Sequence, residues 1–198
     1  MTNRYRLTYF FNSINEFRQL PPDNGREVAF AGRSNAGKSS ALNILTQQRQ
    51  LARVSKTPGR TQLLNFFTVE PGRSLVDLPG YGYAKVPDAV RRHWQLLLER
   101  YLRERAALCG LLLLMDIRHP LTEHDRQLLD CCTFRALPVH ILLTKADKLS
   151  RGAAATALQQ LQRTLKTPYP HTSVQLFSAL TGLGVEMVYT QLDIWLGY

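Results

Sequence analysis

Apolar runs alternate with amphipathic stretches along the whole chain. Apolar runs predict strands at residues 27–32, 62–69, 74–77, 108–116, 138–145 and 173–179. The helical spacing of apolar positions predicts helices at residues 38–47, 88–106, 122–135, 150–166 and 184–196. Strands that alternate with helices in this way imply right-handed crossovers and a mostly parallel sheet with helices on both faces.

One turn departs from this pattern. Residues 70–73 (EPGR) join two predicted strands and are too few for a crossover, so one strand must be antiparallel. The predicted fold is a three-layer α/β domain with a mostly parallel sheet and one antiparallel strand. We expect a single domain at residues 27–198, preceded by an N-terminal extension at residues 1–26.

Composition narrows the class of protein. The 198 residues are 44% hydrophobic and 20% charged, which is typical of a globular domain. No apolar run approaches the ~20 residues that span a bilayer, and the N-terminus lacks a secretory apolar core. We therefore expect a cytoplasmic protein without a membrane partner. The 3 cysteines are too few for a disulfide framework, and the 5 histidines show no zinc-ligand spacing.

Positive charge is concentrated in the first half of the chain. The net charge is +10, and residues 1–105 carry 17 Lys and Arg against 8 Asp and Glu, whereas residues 106–198 carry 8 against 7. No carboxylate occurs between Glu27 and Glu70. Arginine dominates, and its planar guanidinium suits phosphate. This asymmetry indicates a polyanionic partner.

Residues 32–39 (GRSNAGKS) match the phosphate-loop pattern GxxxxGK(S/T), with a predicted strand before and a predicted helix after. The glycines let the backbone wrap a phosphate, and the N–H groups at the helix start favour negative charge. Lys38 is expected to reach the β- and γ-phosphates, and the Ser39 hydroxyl to bind Mg²⁺.

Two further segments are expected to respond to the nucleotide. Asp77 ends a strand, where it can hold Mg²⁺ through water, and the Gly80 N–H can approach a γ-phosphate. The following residues 81–84 (YGYA) are expected to be mobile. Residues 53–61 (RVSKTPGRT) form the expected first switch, in which Thr61 completes the Mg²⁺ shell; Thr57 is the alternative.

Base recognition is expected at the ends of the last two strands. Asp147 follows the strand at 138–145, and a carboxylate accepts from the adjacent N1–H and N2–H₂ donors of guanine, a pair that adenine lacks. The stem of Lys145 can lie over the ring face. The Ala179 N–H can donate to guanine O6.

Together these residues resemble the translation-factor-type GTPases and, more narrowly, the EngB family (also YihA or YsxC) of bacterial GTP-binding proteins. The segments that carry the resemblance are residues 20–23, 27–40, 56–67, 77–85 (DLPGYGYAK) and 144–147 (TKAD). The resemblance implies a Ras-like P-loop fold and GTP or GDP with Mg²⁺. It also implies a GTPase role in large ribosomal subunit assembly, with ribosomal RNA and proteins as partners, and a requirement in cell division and septation. We also expect a monomer.

The resemblance also assigns site residues. Mg²⁺ would bind Ser39 and Thr61. Nucleotide contacts would fall at Gly32, Arg33, Ser34, Asn35, Ala36, Gly37, Lys38, Ser39, Gly59, Arg60, Thr61, Gln62, Leu63, Asp77, Leu78, Pro79, Gly80, Thr144, Lys145, Ala146, Asp147, Phe177, Ser178 and Ala179. Catalysis would involve Lys38, Thr61 and Asn35.

Three positions bear on the rate of hydrolysis and on rigidity. Tyr81 stands where Ras-type enzymes carry the glutamine that orients water, so slow hydrolysis is expected without a partner or cation. Asn35 either binds K⁺, as in some related GTPases, or hydrogen-bonds its own backbone. Thr144 replaces the usual asparagine, and its hydroxyl can still bond the phosphate loop.

Two other functions fit parts of the pattern. A P-loop small-molecule kinase needs an acceptor site, for which no carboxylate pair is visible. A guanine-nucleotide-dependent scaffold in cell division would bind nucleotide without hydrolysing it.

Overall fold

A computed structural model describes residues 4–52, 63–81 and 88–198, with only the backbone of 88–91. The strands are β1 (Tyr9–Ile14), β2 (Arg26–Gly32), β3 (Leu64–Glu70), β4 (Arg73–Asp77), β5 (Leu108–Asp116), β6 (Val139–Thr144) and β7 (Thr172–Leu176). The helices are α1 (Lys38–Leu45), α2 (Asp88–Glu104), α3 (Glu123–Phe134), α4 (Arg151–Leu165) and α5 (Val185–Leu196).

All seven strands form one sheet in the order β1-β3-β4-β2-β5-β6-β7. β2 pairs in parallel with β4 and β5, β5 with β6, and β6 with β7. β3 is antiparallel to both β1 and β4, so it alone among the described strands runs against the rest. The predicted mostly parallel sheet with one antiparallel strand is confirmed.

Helices cover both faces of the sheet, because apolar side chains of the central strands alternate between two cores. Along β2, Val28 and Phe30 pack in a core with α1 and α5, whereas Ala29 and Ala31 face a core with α2, α3 and α4. This period of two is what a strand buried on both faces requires. The predicted three layers are thereby confirmed.

The segment predicted as an N-terminal extension, residues 1–26, contributes a strand to the sheet. β1 pairs with β3 and forms the edge of the sheet. The predicted domain boundary itself stays a prediction. In the part of the chain that the structure describes, no helix combines the length and apolar character needed to cross a membrane.

The end of α2 is fixed by a buried ion pair. The Arg105 guanidinium binds both carboxylate oxygens of Glu27 at the start of β2, and it donates to the Pro21 carbonyl at 2.8 Å. The Tyr101 hydroxyl donates to the same carboxylate at 2.8 Å. Burying the charge of Arg105 or Glu27 without its partner would destabilise the fold, and their pairing avoids this. It ties α2 to the strand that leads into the phosphate loop.

Candidate nucleotide-binding site

The phosphate loop connects β2 to α1 through two residues in the left-handed region. Asn35 has φ +64° and Gly37, which caps α1, has φ +95°. Asparagine and glycine are the residues that adopt this conformation at least cost. The Ala41 N–H donates to the Gly37 carbonyl at 2.9 Å, so the helix begins directly after the second of these residues.

Gly32 permits close contact between the end of β2 and β5. A Cβ at Gly32 would lie 2.7 Å from the Leu114 carbonyl oxygen, so any side chain there would push the two strands apart. On the other side of the loop, a Cβ at Gly80 would lie 3.4 Å from the Ser34 nitrogen. The residues after β4 therefore lie directly against the phosphate loop.

The loop is also held by hydrogen bonds from neighbouring strand ends. The Thr144 hydroxyl at the end of β6 donates to the Ala36 carbonyl at 2.6 Å, which is the bond expected of this threonine. The Lys145 ammonium donates to the Asn35 carbonyl at 2.8 Å. The Ser34 N–H donates to the Tyr81 carbonyl at 3.1 Å. The loop is thus fixed from both sides before any ligand contributes.

Lys38 and Asp77 form an ion pair beneath the loop. Their side chains are 12% exposed each, and the Lys38 ammonium contacts one carboxylate oxygen of Asp77. The sequence predicts that Lys38 contacts the phosphates and Asp77 contacts hydrated Mg²⁺. The structure brings the two side chains together at the start of α1 and the end of β4, and both roles stay predictions.

A second ion cluster lies beside the loop at the end of β5. Asp116 accepts from the Arg118 guanidinium at 2.6 Å and from the Lys145 ammonium at 2.9 Å. The hydrogen bonds from Arg118 and then Lys145 hold the pKa of Asp116 well below its usual range. Asp116 therefore stays charged and fixes the Lys145 stem across the gap between β6 and the loop.

Asp147, the predicted acceptor for the base, is held by a residue that follows the next strand. The Ser178 hydroxyl donates to one carboxylate oxygen of Asp147 at 2.6 Å, and this bond lowers the pKa of Asp147. The Ala146 N–H donates to the Phe177 carbonyl at 3.1 Å and ties the two strand ends together. A fixed, ionised carboxylate is suited to accept from two adjacent ring donors.

The residues that could hold Mg²⁺ are oxygen donors. Ser39 lies in the first turn of α1. The carboxylate of Asp77 is close to the same turn, because it forms an ion pair with Lys38 there. Within residues 4–52, 63–81 and 88–198, no group of three His, Cys, Asp or Glu could hold a metal ion. Mg²⁺ prefers oxygen ligands, and it usually takes only a few of them from the protein and the rest from water and substrate phosphates. A small set of oxygen donors is therefore what a Mg²⁺ site needs.

Comparisons with known proteins agree with this geometry. A family model described as "50S ribosome-binding GTPase" matches residues 27–145. "Probable GTP-binding protein EngB" of Nitrosococcus oceani is 56% identical over 197 residues, covering 100% of this chain and 98% of that protein. The protein of the same name from Stenotrophomonas maltophilia is 58% identical over 195 residues, covering 98% and 95%. The chain belongs to the EngB family.

Solved structures show the same fold. A crystal structure of "a probable GTP-binding protein engB" superposes with a TM-score of 0.70 at 19% identity, covering 86% of this chain and 98% of that one. The GDP-bound FeoB G-domain of S. thermophilus, at 25% identity, superposes with a TM-score of 0.55, covering 84% and 60%. The Ras-like fold that the resemblance implies is confirmed.

In this EngB family member the Tyr81 side chain packs against α3. It is 5% exposed, its hydroxyl donates to Asp125 at 2.6 Å, and its ring stacks on His124 with centroids 6.0 Å apart. Burial, and then the Asp125 carboxylate, raise the pKa of Tyr81 far above its ordinary value. Residues 81–84 are predicted to be mobile; Tyr81 is instead fixed, and residues 82–84 lie outside the described residues.

The structure places most predicted site residues around the phosphate loop. Leu63 is half-buried just before β3. The first-switch candidates Thr57, Gly59, Arg60, Thr61 and Gln62 lie outside the described residues. Asn35 is exposed, and within the described residues its side chain forms none of the hydrogen bonds to its own backbone that one alternative expects. The roles assigned to all these residues stay predictions.

Two residues that contact the candidate site were missed by the sequence analysis. Asp116 ends β5 just as Asp77 ends β4, so the same rule about strand ends could have found it. Asp125 is 1% exposed at the start of α3, where it accepts from the Thr122 N–H and hydroxyl in a capping box. Thr122 is predicted to cap α3, but nothing in the sequence indicates that the capping carboxylate also binds Tyr81.

Proposed function

We propose that the protein binds GTP and GDP with Mg²⁺ and hydrolyses GTP. The observation that carries this proposal is Asp147, whose carboxylate is held by Ser178 at the strand ends beside the phosphate loop. A guanine offers two adjacent donors to such an acceptor, whereas adenine lacks that pair. Membership of a GTP-binding family supports the same assignment.

Backbone N–H groups and one side chain of the phosphate loop bind the phosphates. The N–H groups at the start of α1 and the Lys38 ammonium bind the β- and γ-phosphates, and the ion pair with Asp77 gives way to phosphate contacts. Ser39 and Thr61 would hold Mg²⁺. When bound, this ion neutralises charge on the β- and γ-phosphate oxygens.

Hydrolysis is expected to be slow in the isolated protein. The side chain that follows Gly80 is Tyr81, and its hydroxyl is bound to Asp125 rather than free to orient a water molecule. A partner or a cation must then supply what is missing. Asn35, exposed in the phosphate loop, is the candidate K⁺ ligand. Single-turnover rates in K⁺ and in Na⁺ test this, and equal, fast rates would contradict it.

Calorimetry with GDP, GTP and ADP tests the nucleotide assignment. We expect guanine nucleotides to bind at least about 100-fold tighter than ADP, since a site built around a hydrogen-bonding group rejects analogues that lack its partner. Asp147→Asn should remove most of this preference. Asp130→Asn, on the surface of α3, is the matched control. Equal binding of ADP and GDP by the unmodified protein would refute the assignment.

We further infer that the GTPase acts in the cytoplasm during assembly of the large ribosomal subunit, as a monomer, and supports cell division and septation through that role. The description of the matched family model, "50S ribosome-binding GTPase", and the net charge of +10 support this. We also expect six basic residues to flank the switch segments: Arg49 and Arg92 are exposed, and the side chains of Arg53, Lys56, Arg60 and Arg91 lie outside the described residues.

Co-sedimentation with large subunits tests this role. We expect binding with GTP that weakens steeply between 50 and 300 mM salt, because each phosphate contact releases counterions. Binding that ignores salt would contradict an RNA contact. Nucleotide binding with no turnover, even with ribosomes present, would instead favour the non-hydrolysing scaffold.

A further inference from the structure

Four large apolar side chains lie exposed within five residues at one edge of the sheet. Leu7 precedes β1, and Tyr9, Phe10 and Phe11 begin it; the three aromatic side chains are 57%, 52% and 56% exposed. We call Tyr9, Phe10 and Phe11 the β1 aromatic row. β7, at the opposite edge, contributes none of the large apolar side chains that are exposed in the described residues. Of the two edges of the sheet, the β1 edge is therefore the one that carries exposed rings in the described residues.

The side chains of this row are more than half exposed, and no arginine covers their rings in the described residues. Each of the other exposed aromatic rings in this part of the chain has an arginine over one face: Arg103 lies 5.1 Å over the Phe134 ring, and Arg4 lies 3.6 Å over the Tyr198 ring. The plane of the Phe10 ring lies at 70° to that of Phe67, so these two rings are not stacked on each other. Flat apolar surface is therefore available for stacking.

Arginines stand beside the row. The Gln48 amide donates to the Thr8 carbonyl at 2.6 Å and to the Arg6 carbonyl at 3.1 Å, which fixes the loop after α1 against the segment before β1. Arg6 and Arg49 flank this junction, and both are exposed. Residues 28–69 contain no carboxylate. The surface around the row is therefore electropositive.

Acidic residues near this surface already face arginines. Asp193 accepts from the Tyr5 hydroxyl and lies 3.9 Å from Arg4. Glu70, at the end of β3, lies 3.9 Å from Arg73. Neither carboxylate offsets the charge of Arg6 or Arg49. An anionic partner thus meets net attraction here.

The edge is poorly formed for pairing with a strand of another protein. The register of β1 on β3 shifts between Phe10 and Asn12, so Phe11 lies in a bulge. Bulges disrupt the regular row of N–H and carbonyl groups that an added strand needs. Open rings beside cationic side chains match another class of partner, single-stranded nucleic acid, whose bases stack on aromatic faces while arginines bind the backbone.

We propose that the β1 aromatic row stacks on unpaired bases of RNA, while Arg6 and Arg49 contact its phosphates. This inference rests on the proposed role at the ribosome, whose RNA supplies unpaired bases in loops. Stacking tolerates any base, since every base has a π-face. The surface therefore recognises exposed single-stranded RNA and not a particular sequence.

Fluorescence anisotropy of the full chain with a labelled, unstructured 12-nucleotide RNA tests the proposal, with an RNA hairpin duplex as the second probe. We expect tighter binding of the single strand. Tyr9→Ala and Phe11→Ala should each weaken that binding at least about fivefold without changing its dependence on salt. Arg6→Gln and Arg49→Gln should instead each reduce the slope of log affinity against log salt by about one.

Leu7→Ala and Phe11→Trp serve as controls. Leu7 is exposed beside the row but has no ring, so Leu7→Ala should change RNA affinity less than about twofold, and Phe11→Trp should retain it. Unchanged binding in the Tyr9→Ala/Phe11→Ala double variant would overturn the proposal. An equal loss in Leu7→Ala would also overturn it, because it would indicate a general apolar contact such as a protein surface.

GDP titration of the same proteins separates this inference from the proposed function. Each variant should bind GDP as the unmodified protein does, which also shows that it is folded. If the unmodified protein binds GDP but the row does not affect RNA affinity, only the stacking surface is wrong. If the unmodified protein fails to bind GDP, the proposed function is wrong, whatever the RNA result.

Discussion

The hydrogen bond between Tyr81 and Asp125 joins the nucleotide site to α3, and Tyr81→Phe removes it while keeping the ring. The bond is 2.6 Å long, and both side chains are buried. Hydrogen bonds to charged groups contribute about 1.5–3 kcal/mol. Thr122 donates both of its bonds to the other carboxylate oxygen of Asp125, so the charge keeps a partner while the oxygen that faced Tyr81 loses its bond. We therefore expect Tyr81→Phe to lower the free energy of unfolding by about 2 kcal/mol.

Urea unfolding measures this loss, with Tyr169→Phe as the control. The Tyr169 hydroxyl also donates to a carboxylate, that of Asp130, but the bond is longer, at 2.9 Å, and lies in a partly exposed site. The same substitution should cost about 1 kcal/mol or less there. The midpoint should shift in both variants while the slope with urea stays constant. Equal losses in the two variants would show that burial of the Tyr81–Asp125 bond does not matter.

Activity provides a second measurement on the same variant. Because the Tyr81 hydroxyl is bound to Asp125 on α3, Tyr81→Phe should leave the single-turnover rate of GTP hydrolysis within about twofold, less than the factors typical of a group that acts in the transition state. A drop of tenfold or more would show that the hydroxyl leaves Asp125 and takes part in hydrolysis. Such a result would refute the interpretation of Tyr81 as a fixed residue.

Further predictions concern the core and pH. Gly110→Ala should lower the free energy of unfolding by about 1–3 kcal/mol, because the added Cβ would overlap the Trp195 ring. Gly152 in α4 has open space around it, so Gly152→Ala should raise the free energy of unfolding by up to about 1 kcal/mol. Urea unfolding of both variants measures the difference. Burial lowers the pKa of His140, so below about pH 6.5 the unfolded chain binds a proton that the folded chain does not. Stability should thus fall by up to about 1.4 kcal/mol between pH 7.5 and 5.5, and less in His140→Gln, as urea titrations at both pH values would show.

The parts of the fold that follow from periodicity could be predicted from the sequence. β2, β5 and β6 are apolar runs between helices, and the strand at 74–77 matches β4 within one residue. β1 was missed because its residues do not alternate between apolar and polar. Tyr9, Phe10 and Phe11 are all exposed, and within β1 only Ile14 is buried, so this strand is held mainly by backbone pairing with β3.

Some residues of the candidate site could likewise be predicted from the sequence, and others could not. The phosphate loop, Asp77 and Asp147 could be predicted because each follows a strand at the edge where ligands of α/β folds bind. Asp125 could not, since its partner Tyr81 is 44 residues away and their contact depends on how α3 packs. The buried pair of Glu27 and Arg105 is of the same kind, because charged residues are expected at the surface unless a partner is known.

Preorganisation explains why the phosphate loop needs so many fixed neighbours. A loop with two left-handed residues would lose conformational entropy on binding if it were free. Here Thr144 and Lys145 bind carbonyl groups of the loop, and Gly32 lets the loop lie against β5. The loop therefore loses this entropy during folding and not when the ligand binds. Affinity for the ligand then depends on the contacts it makes and not on ordering the loop. The same reasoning places Asp116 in the site although it need not touch the nucleotide, because it fixes Lys145.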